Sequence, residues 1–334
     1  MNFPRTLVHE GLTGAGAPLV TIAGIDASIA DKYARFSMAC LQPGFLYLQP
    51  QRQALDLIRA KNPAIKILVH FPIHTIWGTP GADFGYQSRF AEICARPGGV
   101  WNGTKRPNIT RPDRLGEMVD LWSEVLAAGA YDGLVMDPTC AVNVPDWSDD
   151  GRFGTEAQNL ATQRAAFGQI FATLRRRHPG ALLIGCGGPS ANFPAGGDNV
   201  NGYWLENFPE QNPTGWSACT RLCMDAPFKY AQPHLQVIAM ARNAPFPADM
   251  RFGLGTSCLF DGAFAYGPPG WGSNPGESRS AHLDWIAPEA LPLGWLGQPV
   301  GAPWAASATR WERSFEHGSV VVDTFARDAY FTRR

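Results

Sequence analysis

Along this chain, continuous apolar runs of strand length alternate with stretches whose apolar positions recur at helical spacing. Strands are predicted at Val20–Asp26, Phe45–Gln49, Ile65–Phe71, a fourth ending at Asp137, then Ala181–Cys186, Gly202–Glu206, Leu235–Met240 and Gly262–Tyr266. Helices are predicted between them over Asp31–Leu41, Arg52–Ala60, Arg114–Ala128, Thr155–His178, Thr220–Tyr230 and Ala248–Leu259. Thr155 with Gln158 three residues on has the spacing of a capping box, and Pro179 and Gly180 close the same helix.

Strands that read as unbroken apolar runs belong to parallel sheets covered on both faces. Eight of them alternating with helices point to a (β/α)8 barrel, an α/β fold of the TIM type. The other arrangement is a doubly wound open sheet, but no G-x-G-x-x-G or P-loop motif follows the first strand, so its usual nucleotide site is missing. The barrel is assigned to residues 1–285 and a C-terminal extension packed on it to residues 286–334, read as a lid segment and a short edge strand at Ser319–Asp323. The Gly-, Pro- and aromatic-rich loop from Ile73 to Pro112 is too long for a plain connection and is expected to be functional.

Composition narrows the function. A formal charge of −1 over 334 residues excludes an electrostatic nucleic-acid binder, which needs clustered positive charge. No apolar run is long enough for a membrane span or an export signal, so a cytoplasmic or particle-associated setting is expected. The seven cysteines are odd in number and form no C-x-x-C pair, which fits free thiols in a reducing compartment. His70 and His74 are four apart but straddle Pro72 and have no third ligand, so neither a metal nor another cofactor is expected.

The chemistry is expected at the strand ends. Acids at the C-terminal ends of barrel strands sit at the mouth, where pKa values are tuned and catalysis occurs. Asp137 ends the fourth strand just before Pro138, and Glu206 ends the sixth between Trp204 and Phe208, apolar neighbours that favour a protonated acid. The pair suits hydrolysis of a glycosidic bond, with Glu206 as general acid and Asp137 as nucleophile or base, or with the two roles reversed. Substrate contacts are assigned to Asp26, His70, Trp77, Trp204, Arg242, Tyr266 and Trp271, the aromatics as stacking platforms for sugar rings. Asp261 precedes its strand and is given a structural turn role at the opposite face.

Tyr131–Asp137, Asn201–Glu206, Arg251–Tyr266, Leu293–Pro299 and Trp311–Val322 resemble motifs of the hypothetical glycosyl-hydrolase-like barrel families. The likeness covers the chain from about residue 130 onward, and the first third matches only in general plan. It implies an Asp on the fourth strand and a Glu on the sixth as the catalytic pair, an oligo- or polysaccharide substrate, and acids of His282–Glu289 at the cleft. This chain departs from the pattern in showing no secretion signal and leaving little room for a β domain after the barrel. By analogy, a phage particle is a second setting, with other virion proteins as partners and a non-catalytic, carbohydrate-binding or tail-structural barrel as the alternative function.

Overall fold

A computed structural model describes residues 1–9, 27–41, 49–72, 99–101, 104–106, 108–137, 155–186, 199–205, 208, 216, 231–241, 244–267 and 284–334. In chain order the elements begin with β1 (Thr6–His9), α1 (Ala27–Tyr33), β2 (Met38–Leu41), α2 (Gln49–Lys61) and β3 (Lys66–Pro72). Next come β4 (Gly99–Trp101), β5 (Thr104–Arg106), α3 (Pro112–Ala127), β6 (Gly133–Asp137), α4 (Glu156–Arg177), β7 (Leu182–Cys186) and β8 (Gly202–Leu205). The last are β9 (Val237–Ala241), α5 (Pro247–Leu259), β10 (Ala263–Gly267), β11 (Trp304–Ala305), β12 (Arg310–Phe315), β13 (Gly318–Asp323) and β14 (Asp328–Arg333).

Eight parallel strands close a barrel in the order β1, β10, β9, β8, β7, β6, β3, β2, each edge hydrogen-bonded to the next. With helices around it, this is the (β/α)8 barrel that the alternating pattern predicts. Strand alternation sorts each strand's side chains into two layers. One buried cluster draws on all eight strands and on no helix, and it fills the lumen: Leu7, Met38, Leu68, Val135, Ile184 and Val237 are each fully buried in it. Residues between these, such as Val8, Ala39, Ile67 and Leu134, pack outward against α1 to α4.

Two of the eight strands are not the predicted ones. The first is Thr6–His9 and the second Met38–Leu41, whereas Val20–Asp26 and residues 45–48 lie outside the described residues and Gln49 starts α2. Met38–Leu41 continues an apolar segment that reads as one helix from Asp31, but α1 stops at Tyr33. The chain then turns so that the Ser37 carbonyl accepts from Lys66 N at 3.1 Å. The remaining six strands fall within a residue or two of prediction. Helix α4 starts as its sequence requires: Gln158 N donates to Thr155 Oγ1 at 3.4 Å and Thr155 N donates to Gln158 Oε1 at 2.7 Å. Within the long loop, β4 and β5 form a small antiparallel pair, and residues 73–98 are outside the described set, as is the predicted helix at 220–230.

Past the barrel, β11 to β14 make a four-stranded antiparallel sheet, so there is room for β structure where little was expected. The strand anticipated at Ser319–Asp323 is β13, but it is an interior strand rather than an edge, since β12 and β14 pair with it on either side. This sheet packs on α5, which lies between it and the barrel; Phe252 through Leu259 are therefore all buried rather than striped. Gly255 permits that approach, because a side chain there would overlap Ala329 of β14. Among the described residues no helix is long and apolar enough to cross a membrane.

Candidate functional site

The C-terminal ends of the strands define one mouth of the barrel. His9 ends β1, two residues beyond the lumen residue Leu7, and pairs in register with Cys40. His70 lies two beyond Leu68 on β3, in register with Val135. Trp204 lies in the lumen cluster itself and pairs with Cys186. The three rings meet: His9 stands edge-to-face to His70 with centroids 5.1 Å apart and to Trp204 at 5.0 Å, within the range of favourable ring packing. Trp204 and His9 are buried at 2% and 7% exposure, while His70 is half-buried.

Of the residues assigned from sequence, the structure thus brings His70 and Trp204 together and adds His9, which no motif marks. Asp137 is the last residue of β6, in register with Pro72. Glu206, Asp26, Trp77, Arg242 and Trp271 lie outside the described residues. Tyr266 does not join the mouth cluster. On β10 the lumen positions are Ala263 and Ala265, so alternation turns Tyr266 outward, where it packs against Phe264 and Trp285. Its hydroxyl donates to Ala244 O at 2.9 Å and accepts from Phe246 N at 3.1 Å, fastening the segment that leads into α5. These contacts give Tyr266 a structural role, outside the cluster of His9, His70 and Trp204.

Several solved structures of glycoside hydrolases share this fold. The α-galactosidase AgaB of Geobacillus stearothermophilus superposes with a TM-score of 0.57 at 11% identity, over 95% of this chain and 46% of that one. The glycoside hydrolase domain of PelA from Pseudomonas aeruginosa, as its E218A variant, gives 0.51 at 14% identity over 82% of this chain and 98% of that domain. The α-L-fucosidase isoenzyme 2 of Paenibacillus thiaminolyticus gives 0.51 at 10% identity, over 80% and 47%. The chain spans about half the length of the α-galactosidases, 47% for AgaA. At such identities the shared feature is the fold. No protein-family model matches the sequence, and no curated protein matches it.

The opposite end of the barrel carries charge in a structural role. Arg5, 6% exposed, donates to the carbonyls of Met1, His234 and Asp261, and burial depresses its pKa to about 10. Asp261 has a left-handed φ of 60° between α5 and β10 and meets Arg313 Nη2 through Oδ1 at 2.8 Å, the structural turn role its position before the strand predicts. Acids of the His282–Glu289 segment are held in ion pairs: Asp284 with Lys32 at 2.6 Å, and Glu289 near Arg251 at 3.9 Å. Among the described residues no group of three or more His, Cys, Asp or Glu is placed to hold a metal ion. Cys40, Cys186 and Cys258 are buried.

Proposed function

We propose that this protein is a glycoside hydrolase acting on an oligo- or polysaccharide, with Glu206 as general acid and Asp137 as nucleophile or as the base that activates water. The observation that carries this reading is the lumen periodicity. Val135 and Trp204 belong to the interior cluster, and Asp137 and Glu206 each follow one of them by two residues, the period on which a strand repeats a face. Both acids therefore have the sequence spacing of the mouth, where barrels carry out their chemistry.

The buried Trp204 two residues before Glu206 supports the acid role, since an apolar neighbour raises a carboxyl pKa by desolvation. His70 is assigned a hydrogen bond to a sugar hydroxyl, and Asp26, Trp77, Arg242 and Trp271 remain proposed substrate contacts. The fold likeness to an α-galactosidase and a fucosidase adds support by analogy, and structures of AgaA variants were solved with raffinose and stachyose.

The test is product release from a panel that includes raffinose, stachyose, aryl α-galactosides, aryl fucosides and bacterial exopolysaccharides. Asp137→Asn and Glu206→Gln are each expected to lower turnover by about 10²-fold or more while leaving the melting temperature near that of the wild type. Undiminished cleavage by both variants sinks the pair. Glycan binding without any product in the wild type favours a non-catalytic barrel.

A further inference from the structure

We infer that His9 is a positioning residue: its ring, wedged between His70 and Trp204 in the barrel mouth, fixes the His70 imidazole in the orientation that receives a hydroxyl of the bound sugar. The sugar rests on the glycosidase reading above; the wedge rests on geometry alone.

The wedge follows from register. His9 pairs with Cys40, and Cys40 pairs with Leu68. His70 therefore stands two residues beyond the position in register with His9, and because the strands of such a barrel tilt by about one residue of stagger per strand, that offset across two strands brings it to the height of His9. His9 thus lies beside His70 in one layer of the mouth, its ring buried where that of His70 is half-buried. The rings it touches come from either side of β1. β3 is two strands away through β2, and β8 is three away through β10 and β9. The ring therefore bridges the lumen. Leu7, Met38, Leu68 and Val135 fill the interior as fully buried apolar side chains, so the His9 ring has no space to sink.

Orientation is what His70 needs from its neighbours. The χ2 torsion of a histidine is broad, with no sharp intrinsic minimum. An edge-to-face contact at 5.1 Å and 78° restricts it, and the Trp204 contact at 5.0 Å holds the His9 ring in turn. A neutral imidazole presents one donor and one acceptor, and a sugar hydroxyl can answer either. A fixed ring directs these at one hydroxyl, whereas a freely turning ring spreads the contact over many poses. A hydrogen bond of this kind strengthens substrate and transition-state binding alike, so its loss appears in KM rather than in kcat.

The experiment uses the full chain with [13Cε1]-histidine labelling, in which seven histidines give signals and that of His70 is the one missing in His70→Gln. Two variants separate ring packing from volume: His9→Phe keeps an aromatic wedge, and His9→Leu fills the space without one. The His70 signal is expected to stay sharp and near its native position in His9→Phe, and to broaden or move toward that of free imidazole in His9→Leu. With the glycoside cleaved by the wild type, KM is expected to rise about tenfold in His9→Leu, the loss of one well-directed hydrogen bond, with kcat nearly unchanged. His9→Phe is expected to recover most of that loss.

A native His70 signal in His9→Leu overturns the wedge, whatever the enzymatic activity. Equal KM defects in both variants, with a native His70 signal in His9→Phe, overturn it as well, because His9 would then touch the sugar through its own nitrogens. A wild type that neither cleaves nor binds any glycoside overturns the sugar half of the proposal and the glycosidase reading together, while the signal of His70 still decides the wedge.

Discussion

Replacing Arg313 by Met should loosen the C-terminal sheet from the barrel and lower the stability of the whole protein. Arg313 is 6% exposed. Its Nη1 donates to Cys258 O at 2.9 Å and Leu259 O at 3.1 Å, and its Nε donates to Gly301 O at 3.0 Å. Its Nη2 lies 2.8 Å from the Asp261 carboxylate. The substitution keeps an apolar stem but leaves three carbonyls and a carboxylate without this partner.

Summing single hydrogen bonds would overstate the effect, because they share one guanidinium; removing one partner of a buried pair costs about 3–5 kcal/mol. With an unfolding entropy near 2.1 cal/mol/K per residue, 334 residues give roughly 0.7 kcal/mol/K, so the melting temperature should fall by about 4–7 °C. Arg310 is the internal control. It lies three positions earlier on the same strand, with a side chain 52% exposed and paired to Glu312 at 3.2 Å. Arg310→Met should cost below about 1 kcal/mol, a shift of roughly 1 °C. Differential scanning calorimetry of both variants decides the matter. If Arg313→Met melts no lower than Arg310→Met, the sheet is not fastened to the barrel through this residue.

Two further predictions concern the barrel's base and its longest helix. The Asp132 carboxylate accepts from Ile67 N at 2.9 Å, Lys66 Nζ at 2.9 Å and Arg59 Nη2 at 3.2 Å. Burial alone would raise its pKa, but these contacts outweigh it and the value falls below the usual 3.8. The stability it contributes is therefore present above that unfolded value and lost as pH drops through the lower folded one, so melting temperature should decline more steeply toward pH 3 in the wild type than in Asp132→Asn. Parallel profiles would refute the assignment. Thr155→Ala removes the side-chain half of the α4 capping box, the hydroxyl that accepts from Gln158 N, and should cost about 1 kcal/mol in urea unfolding, with Thr155→Ser restoring most of it; an unchanged midpoint would refute the cap.

Local signals were legible where they were complete within a short stretch. The capping box at Thr155, the stop at Pro179 and the apolar runs ending at Asp137 and Cys186 all fold as their residues direct. Other positions depended on partners distant in the chain. Thr6–His9 is four residues long and follows Arg5, so nothing local marks it as a strand; it becomes one because β10 and β2 pair with it on either side. His9 was missed for the same reason, since its value lies in meeting His70 and Trp204 from across the lumen.

The amino-acid sequence by itself determined the alternation of strand and helix and six of the eight barrel strands, among them the one that ends on Asp137. Only the tertiary structure decided which face of each strand is the lumen. In a barrel covered by helices both faces are apolar, so periodicity shows which residues share a face but not where that face points. Closure of the eight strands settles it, turning Tyr266 out against Trp285 and His9 in beside His70.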